Sequence, residues 1–362
     1  MKLTIIYPYR NRDLERVQRS MDSLARQSNL DFKVYFIDYG SDINRGGQVE
    51  DLVSKYDFAT YAYLYSQNQP WNKSKAINFA LTSIETPFCF IADIDMIFDV
   101  QFIEVVNKEI QFNPNKTIFF QVGYLSKEQT KNFLSFNLVL EYTCSSPEVT
   151  GMSLFNTEQL KSVKGFDEFF HFWGAEDTDV HNRLKLAGYE VFFYDKKVLL
   201  LHQWHPSYRS GEKYSLTKDL QCTGIVQLNQ EHLNDNRENN RVITQSSFGK
   251  SISKENFDVL ISKIPSLIVQ NEVQEIDHFL FYTLPNLKKG VYRFDFKQDV
   301  FQNTIKYKIK KIIKKKVPQY YSLKQVNDML LKHIIGFYHQ YPYQVVVADD
   351  LQKIIFTIIK EE

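Results

Sequence analysis

Over its first hundred residues the chain alternates short β-branched runs with stretches of helical periodicity, and this alternation restricts the fold more than any other feature. "KLTIIYPYRNR" opens with a run that stops at Pro8, and "NRDLERVQRSMDSLARQ" then places Leu14, Val17, Met21 and Leu24 at helical spacing. "FKVYFIDYGSD" repeats the pattern, with a strand ending at Asp38 and a Gly-Ser-Asp turn behind it. "WNKSKAINFALTSI" reads as a helix with Ala76, Ile77, Ala80 and Leu81 apolar, and "FCFIADIDMIF" as a core strand. Strands alternating with helices imply right-handed crossovers and an α/β fold, a mostly parallel sheet covered on both faces. Ligands of such sheets bind beyond the carboxyl ends of the strands. Pro8 with Arg10, Asp38, and the pair Asp93 and Asp95 all fall at such ends, so separate segments converge on one rim.

The aspartate pair interrupts an otherwise apolar run. Along a strand, residues two apart point the same way, so both carboxylates are expected to face one point beyond the strand end. There they repel unless a cation sits near them. A hard divalent ion, Mg2+ or Mn2+, takes oxygen ligands, often few from protein and the rest from substrate phosphates. A nucleotide diphosphate would complete the shell. The plain alternative is a pair of turn-capping aspartates in solvent, against which stands their position after an apolar run at the marked rim.

A second acidic cluster, Glu176, Asp177 and Asp179, starts a helix whose apolar stripe is Val180, Leu184 and Ala187; Gly188 stops it and "YEVFFY" returns as a strand. The helix macrodipole explains one acid in a first turn without any function, and three less well. The neighbouring Phe172 and Trp173 can stack on a sugar ring, and partial desolvation would raise a carboxylate toward general-base range. "LLLHQWHP" then offers His202 and His205 behind an apolar strand. Imidazole binds Mn2+, so one of them can complete an ion's shell, His202 being the better placed because it directly follows the strand. A structural histidine is the alternative for either.

A formal net charge of +1 is too small for the field of a nucleic-acid binder. Cys89, Cys144 and Cys222 are widely spaced and fit neither a disulfide framework nor a zinc site, which suits a reducing, cytoplasmic setting. No apolar stretch approaches the roughly 18 to 20 residues of a membrane span, and the first apolar residues reach Pro8 and Arg10 too soon for a signal peptide. A soluble or peripheral protein is expected.

Residues 1–210 read as one α/β domain, the polar stretch 211–253 around "NDNRENNR" as a linker or excursion, and 254–362 as a separate, mainly helical region. In that region "TIKYKIKKIIKKKVP" sets Ile305, Ile309, Ile312 and Ile313 on one helical face among lysines. Such a helix either packs its isoleucines on the domain or lies peripherally on an anionic membrane through Lys306–Lys316.

Four of these segments, in order, resemble the β-1,4-galactosyltransferase type of nucleotide-sugar transferase, and more loosely bacterial chondroitin-type polymerases and other family 2 transferases. "PYRNR" is similar to that family's Pro-Phe-Arg-Asn-Arg, "WNKSKAIN" to its Phe-Asn-Arg-Ala-Lys segment, "DID" to its Asp-Val-Asp, and "FWGAEDTD" to its Trp-Gly-Gly-Glu-Asp-Asp-Asp. The resemblance covers roughly residues 1 to 210 and implies a GT-A-type, Rossmann-like domain. It implies that Pro8, Tyr9, Arg10, Arg12, Trp71 and Lys73 hold the uridine and diphosphate. Asp38, Asp93 and Ile94 join that nucleotide-sugar set, and Asp95 with His202 would bind Mn2+ (or Mg2+). Trp173, Glu176 and Asp177 would grip the acceptor sugar, with Asp177 as base. Ala175 stands where the family has a glycine and Thr178 where it has an aspartate, so acceptor identity does not carry over.

The expected protein is therefore an inverting, metal-dependent glycosyltransferase. It would move galactose or an N-acetylhexosamine from a UDP-sugar to a saccharide or lipid-linked saccharide acceptor, in bacterial surface polysaccharide synthesis. Two other readings are a metal-dependent phosphohydrolase using Asp93, Asp95 and His202, and a non-catalytic carbohydrate-binding or scaffold subunit.

Overall fold

The computed structural model describes residues 2–206 and 213–361. They fall into two compact units, one made of Met1–Leu64, Trp71–Ser207 and Val226–Ser251, the other of Tyr65–Pro70, Tyr208–Ile225 and Ile252–Glu362. The boundary expected at residue 210 lies outside the described residues.

In the first unit the chain runs β1 (Leu3–Tyr9), α1 (Leu14–Ala25), β2 (Phe32–Asp38), α2 (Ile43–Val53), β3 (Ala59–Tyr63), α3 (Lys73–Ser83), β4 (Phe88–Ile91) and β5 (Met96–Phe98). It continues through α4 (Phe102–Phe112), β6 (Lys116–Phe120), β7 (Val122–Tyr124), α5 (Lys127–Lys131), β8 (Thr143–Cys144) and β9 (Ser153–Asn156). Then come α6 (Thr157–Ser162), α7 (Glu176–Leu186), β10 (Glu190–Tyr194), β11 (Leu200–His202) and α8 (Ile225–Glu238). The main sheet has seven strands in the order β10-β6-β9-β4-β1-β2-β3. Its pairs are parallel except at β9, which runs antiparallel to both β4 and β6. A smaller sheet, β5-β11-β7-β8, carries His202 at the end of β11.

Both faces of the main sheet are covered, as the alternation requires. Leu3, Ile5, Tyr7 and Tyr9 of β1 enter one core with Val17, Met21 and Leu24 of α1, while Ile6 enters a second with Ala76, Ile77, Ala80 and Leu81 of α3. Each buried Val, Leu, Ile or Met among them contributes roughly 1.5–3 kcal/mol on burial. Asp13 caps α1 by accepting from the Arg16 N–H at 3.1 Å, and Asn72 caps α3 by accepting from the Lys75 N–H at 2.7 Å. The second cap makes Lys73 the first residue of its helix and so fixes where that side chain departs.

The polar stretch 211–253, expected as a linker or excursion, contains α8. Its polar side chains turn inward because buried polar groups await them: His232 Nε2 lies 2.9 Å from Asp167 Oδ2, and Asn236 Nδ2 donates to Asp167 Oδ2 at 3.2 Å and to Asp179 Oδ1 at 2.9 Å. Farther on, the Gly249 N–H donates to Glu168 Oε1 at 2.6 Å, beside the Asn78 Nδ2 that donates to the same oxygen at 3.0 Å.

The second unit does contain the expected helices, α9 (Lys254–Ile261), α10 (Val273–His278), α11 (Ile305–Ile312) and α12 (Leu323–Phe337). At its centre, however, is a four-stranded sheet that the sequence reading does not foresee. It is formed by β12 (Leu267–Gln270), β13 (Gly290–Lys297), β14 (Tyr343–Val347) and β15 (Lys353–Lys360) in the order β12-β13-β15-β14. Strand pairs β13–β15 and β14–β15 are antiparallel and β12–β13 parallel. Short apolar runs such as "YQVVV" and "KIIFTIIK" do not separate strand from buried helix by periodicity alone. The isoleucines of α11 do not pack on the domain; no residue of that helix is buried.

Gly249 has φ +70°, and a Cβ there would sit 2.5 Å from the Asn78 carbonyl oxygen, a backbone atom that cannot turn aside. Gly249→Ala should therefore cost about 2–4 kcal/mol in urea unfolding, from left-handed strain plus overpacking. Gly47→Ala, where a Cβ in α2 meets nothing within 4 Å, should be neutral or stabilising. Equal effects of the two substitutions would contradict this account.

Candidate active site

Lys73 is the point at which three of the singled-out segments meet. Its Nζ lies 3.0 Å from Asp93 Oδ1, 3.1 Å from Asp177 Oδ2 and 3.8 Å from Glu176 Oε1. α3 supplies the lysine, the turn after β4 supplies Asp93, and the first turn of α7 supplies the other two. One ammonium faces three carboxylates, so the cluster keeps an excess of negative charge.

Burial alone would depress the Lys73 pKa, but the carboxylates of Asp177, Asp93 and Glu176 together outweigh it and hold it well above its ordinary value. Glu176 is pushed up to about 7, first by burial and then by the Asp177 charge, with Lys73 opposing. Asp177 is also raised, by burial, against the pull of Lys73. Two acids that hold protons more tightly than usual beside a cation make a site able to accept a proton from a substrate hydroxyl.

The loop before α7 is strained. Phe172, Gly174 and Ala175 have φ of +63°, +96° and +79°. Glycine adopts this region freely, whereas Ala175 pays on the order of 1 kcal/mol for it. Asn229 of α8 holds the loop, its Nδ2 donating to the carbonyls of His171, Trp173 and Gly174 at 3.0, 3.1 and 3.2 Å. The Phe172 N–H donates to the Trp71 carbonyl at 2.7 Å, tying the loop to the segment that leads into α3. Trp173, in the loop that leads into Glu176 and Asp177, is 45% exposed. Thr178 bonds through its hydroxyl to that of Thr150 at 2.9 Å.

Asp95 points elsewhere. The strand ends at Ile91, and Asp93 to Asp95 lie in a turn in which the Met96 N–H donates to the Asp93 carbonyl at 3.2 Å. The two-residue spacing therefore does not bring both carboxylates to one point, contrary to expectation. Asp95 Oδ2 lies 2.9 Å from His205 Nε2 and its Oδ1 3.6 Å from His202 Nε2. Burial by itself would raise Asp95, but His202 and His205 outweigh it and hold it at about 2.

One ligand atom from each of Asp95, His202 and His205 lies within 4.8 Å of the others. Two details fit this trio to a cation. Asp95 Oδ1 is buried with no hydrogen-bond partner among the described residues. His205 Nδ1 lies 2.9 Å from the Pro206 carbonyl, which fixes the ring in the way that a carbonyl bonded to the far nitrogen orients a ligating histidine. One carboxylate and two imidazoles suit Mn2+ and other first-row ions better than Mg2+. Both histidines join the group, where the sequence reading favours His202. A phosphohydrolase site of Asp93, Asp95 and His202 is not assembled, because Asp93 turns to Lys73.

The residues expected to hold uridine divide. Pro8 and Tyr9 end β1 inside the core, and the Tyr9 hydroxyl donates to the Arg12 carbonyl at 2.9 Å while Arg12 is exposed. Asp38 is fully buried; it accepts from the Ser41 N–H at 2.8 Å and the Tyr61 hydroxyl at 2.9 Å, and burial raises its pKa. These groups shape the rim from within. Ile94 is buried in the turn between the two aspartates. Arg10 and Trp71 come together through Tyr39, with the guanidinium 5.9 Å from the Tyr39 ring and the Trp71 ring edge-on to it at 5.7 Å. Tyr39 was missed by sequence reasoning, although it follows Asp38 directly at the strand end.

Residues 133–205 match the family model described as the N-terminal domain of galactosyltransferase. β-1,4-Galactosyltransferase 5 of Danio rerio is 23% identical over 141 residues, and β-1,4-galactosyltransferase 6 of Homo sapiens 25% identical over 138. Each match covers 38% of this chain and 32% of the relative, so the chain spans about a third of the length of these curated relatives. Among solved structures, S. aureus TarS 1–349 in complex with UDP aligns with TM-score 0.43 and 19% identity, over 56% of this chain and 60% of that one. A mannosyltransferase from Pyrobaculum calidifontis in complex with GDP-Man and Mn2+ aligns with TM-score 0.40 and 16% identity, over 56% of each.

Glu176 makes the cluster's electrostatics measurable. In the unfolded chain it loses its proton near 4.5, but in the fold near 7, so between these values the native state holds more protons and stability falls as pH rises. Glu176→Gln, which mimics the neutral acid, should change melting little at pH 5 and raise stability at pH 8 by on the order of 1–3 kcal/mol. A variant no more stable than wild type at pH 8 would show that Glu176 ionises without penalty.

Proposed function

We propose that this chain is a glycosyltransferase that moves a sugar, with inversion, from a UDP-sugar to a saccharide hydroxyl, and that it does so with a divalent cation. Convergence of α3, the Asp93 turn and the start of α7 on Lys73 carries this reading. It supports a donor site and an acceptor site that share one charged centre. The galactosyltransferase match over residues 133–205 spans the acidic loop and both histidines. Galactose and N-acetylhexosamine are the donor sugars that the resemblance favours.

In this reading Trp173 offers its exposed ring to the acceptor sugar and Glu176 a hydrogen bond to it. Asp177 takes the proton of the attacking hydroxyl; a carboxylate raised by burial is a stronger base than an ordinary aspartate. Arg10 and Trp71, half-buried against the buried Tyr39 ring, present a cationic and aromatic surface to the nucleotide, and Lys73 places a positive charge beside Asp93. Asp95, His202 and His205 would hold the cation, Mn2+ by their chemistry. A cation there stabilises the charge that develops on a departing diphosphate.

The test is a thermal-shift panel of UDP-, GDP- and CMP-sugars with and without Mn2+, followed by transfer assays. A UDP-sugar with Mn2+ should raise Tm, and Asp95→Ala or His205→Ala should remove the Mn2+-linked part of that rise. Asp177→Asn should keep the rise and lose about 10²- to 10⁴-fold in transfer. No shift with any sugar nucleotide, or wild-type turnover in Asp177→Asn, would overturn the proposal.

A further inference from the structure

Helix α11 is attached to its unit by the wrong side for its isoleucines. Tyr307 anchors it, with its ring 5.6 Å from both Phe301 and Tyr320 and its hydroxyl donating to the Pro318 carbonyl at 3.3 Å. Ile305, Ile309 and Ile312, at spacings of four and three, form a stripe on the opposite side. They are 76%, 51% and 79% exposed, and Ile313 extends the stripe at 54%. A soluble domain has no use for four exposed isoleucines in one stripe on a short helix.

The charge around the stripe says what covers it. Seven lysines lie between Lys306 and Lys316, and no carboxylate side chain occurs between Asp299 and Asp328. The lysines flank the isoleucines on both sides and continue beyond the helix end. An apolar stripe framed by cations matches a surface that is apolar beneath and anionic above. No described helix is long and apolar enough to cross a membrane, so the fit is to a helix lying in the interface.

We propose that α11 and the lysine run behind it dock this chain on an anionic lipid surface. The isoleucines enter the boundary between headgroups and acyl chains, and the lysines that flank the stripe take headgroup phosphates. The inference does not rest on the glycosyltransferase reading, and its readout is independent of activity.

The full chain is mixed with vesicles of phosphatidylcholine alone or with added phosphatidylglycerol, and bound protein is measured by co-sedimentation at low and high salt. Binding to the anionic vesicles should be at least tenfold tighter and should weaken with salt. Lys308→Gln, Lys311→Gln and Lys315→Gln should each weaken it about fivefold. The triple variant Ile305→Ser, Ile309→Ser, Ile312→Ser should weaken it tenfold or more with an unchanged melting temperature, because those side chains are exposed. Equal binding to both vesicle types would overturn the proposal, and that comparison uses only the wild-type chain. Unchanged binding of the isoleucine variant would also overturn it, since it would mark a site for soluble polyanions.

Discussion

A single ammonium group facing three carboxylates in a mostly buried setting is the interaction on which the first unit's functional face depends. Lys73 is only 11% exposed at its side chain, and Asp177 23% and Glu176 14%. Without the lysine, Glu176 and Asp177 would have only each other and the more exposed Asp93 to face. Removing one partner of a buried ion pair typically costs 3–5 kcal/mol because the rest is left uncompensated. The same lysine joins the amino end of α3, the turn after β4 and the amino end of α7, so the electrostatic requirement is also a positional one.

Its surroundings keep that geometry in place. Asn72 caps α3 and, through Nδ2, donates to the Glu168 carbonyl at 2.7 Å, on the chain that leads into the acidic loop. Asn229 satisfies three carbonyls of that loop at once, which offsets the left-handed backbone at Phe172 and Ala175. Arg183 and Asp179, both 1% exposed at their side chains and 2.6 Å apart, fix α7, and Arg183 also donates to the carbonyls of Val163 and Gly165 at 2.8 Å. The loop carbonyls and the buried Arg183–Asp179 pair have partners, so the loop can be strained and still have one conformation.

Much of this was legible in the residues. The alternation over the first hundred residues announces the sheet, and the positions after strand ends mark Arg10, Asp38, Asp93 and Asp95 before any coordinate is known. Their division of labour was not legible. Strand geometry would aim Asp93 and Asp95 together, but the strand stops at Ile91, and a turn sends one to Lys73 and the other to the histidines. His205 lies beyond the strand, where spacing carries no direction. The inward-facing asparagines of α8 look like solvated composition because their partners, Asp167, Asp179 and the carbonyls near Trp173, are distant in sequence. In the second unit, runs of Val, Ile and Phe leave strand and helix open until their neighbours are known.

The most direct measurement of the central claim is a double-mutant cycle on stability between Lys73→Met and Asp177→Asn, by urea unfolding at neutral pH. If Lys73 holds the acidic segments together, the two substitutions should couple by about 1–3 kcal/mol, the charge on Asp177 being tolerable only with the lysine present. Additivity within about 0.5 kcal/mol would show that the two residues are neighbours without being partners, and the account would fail.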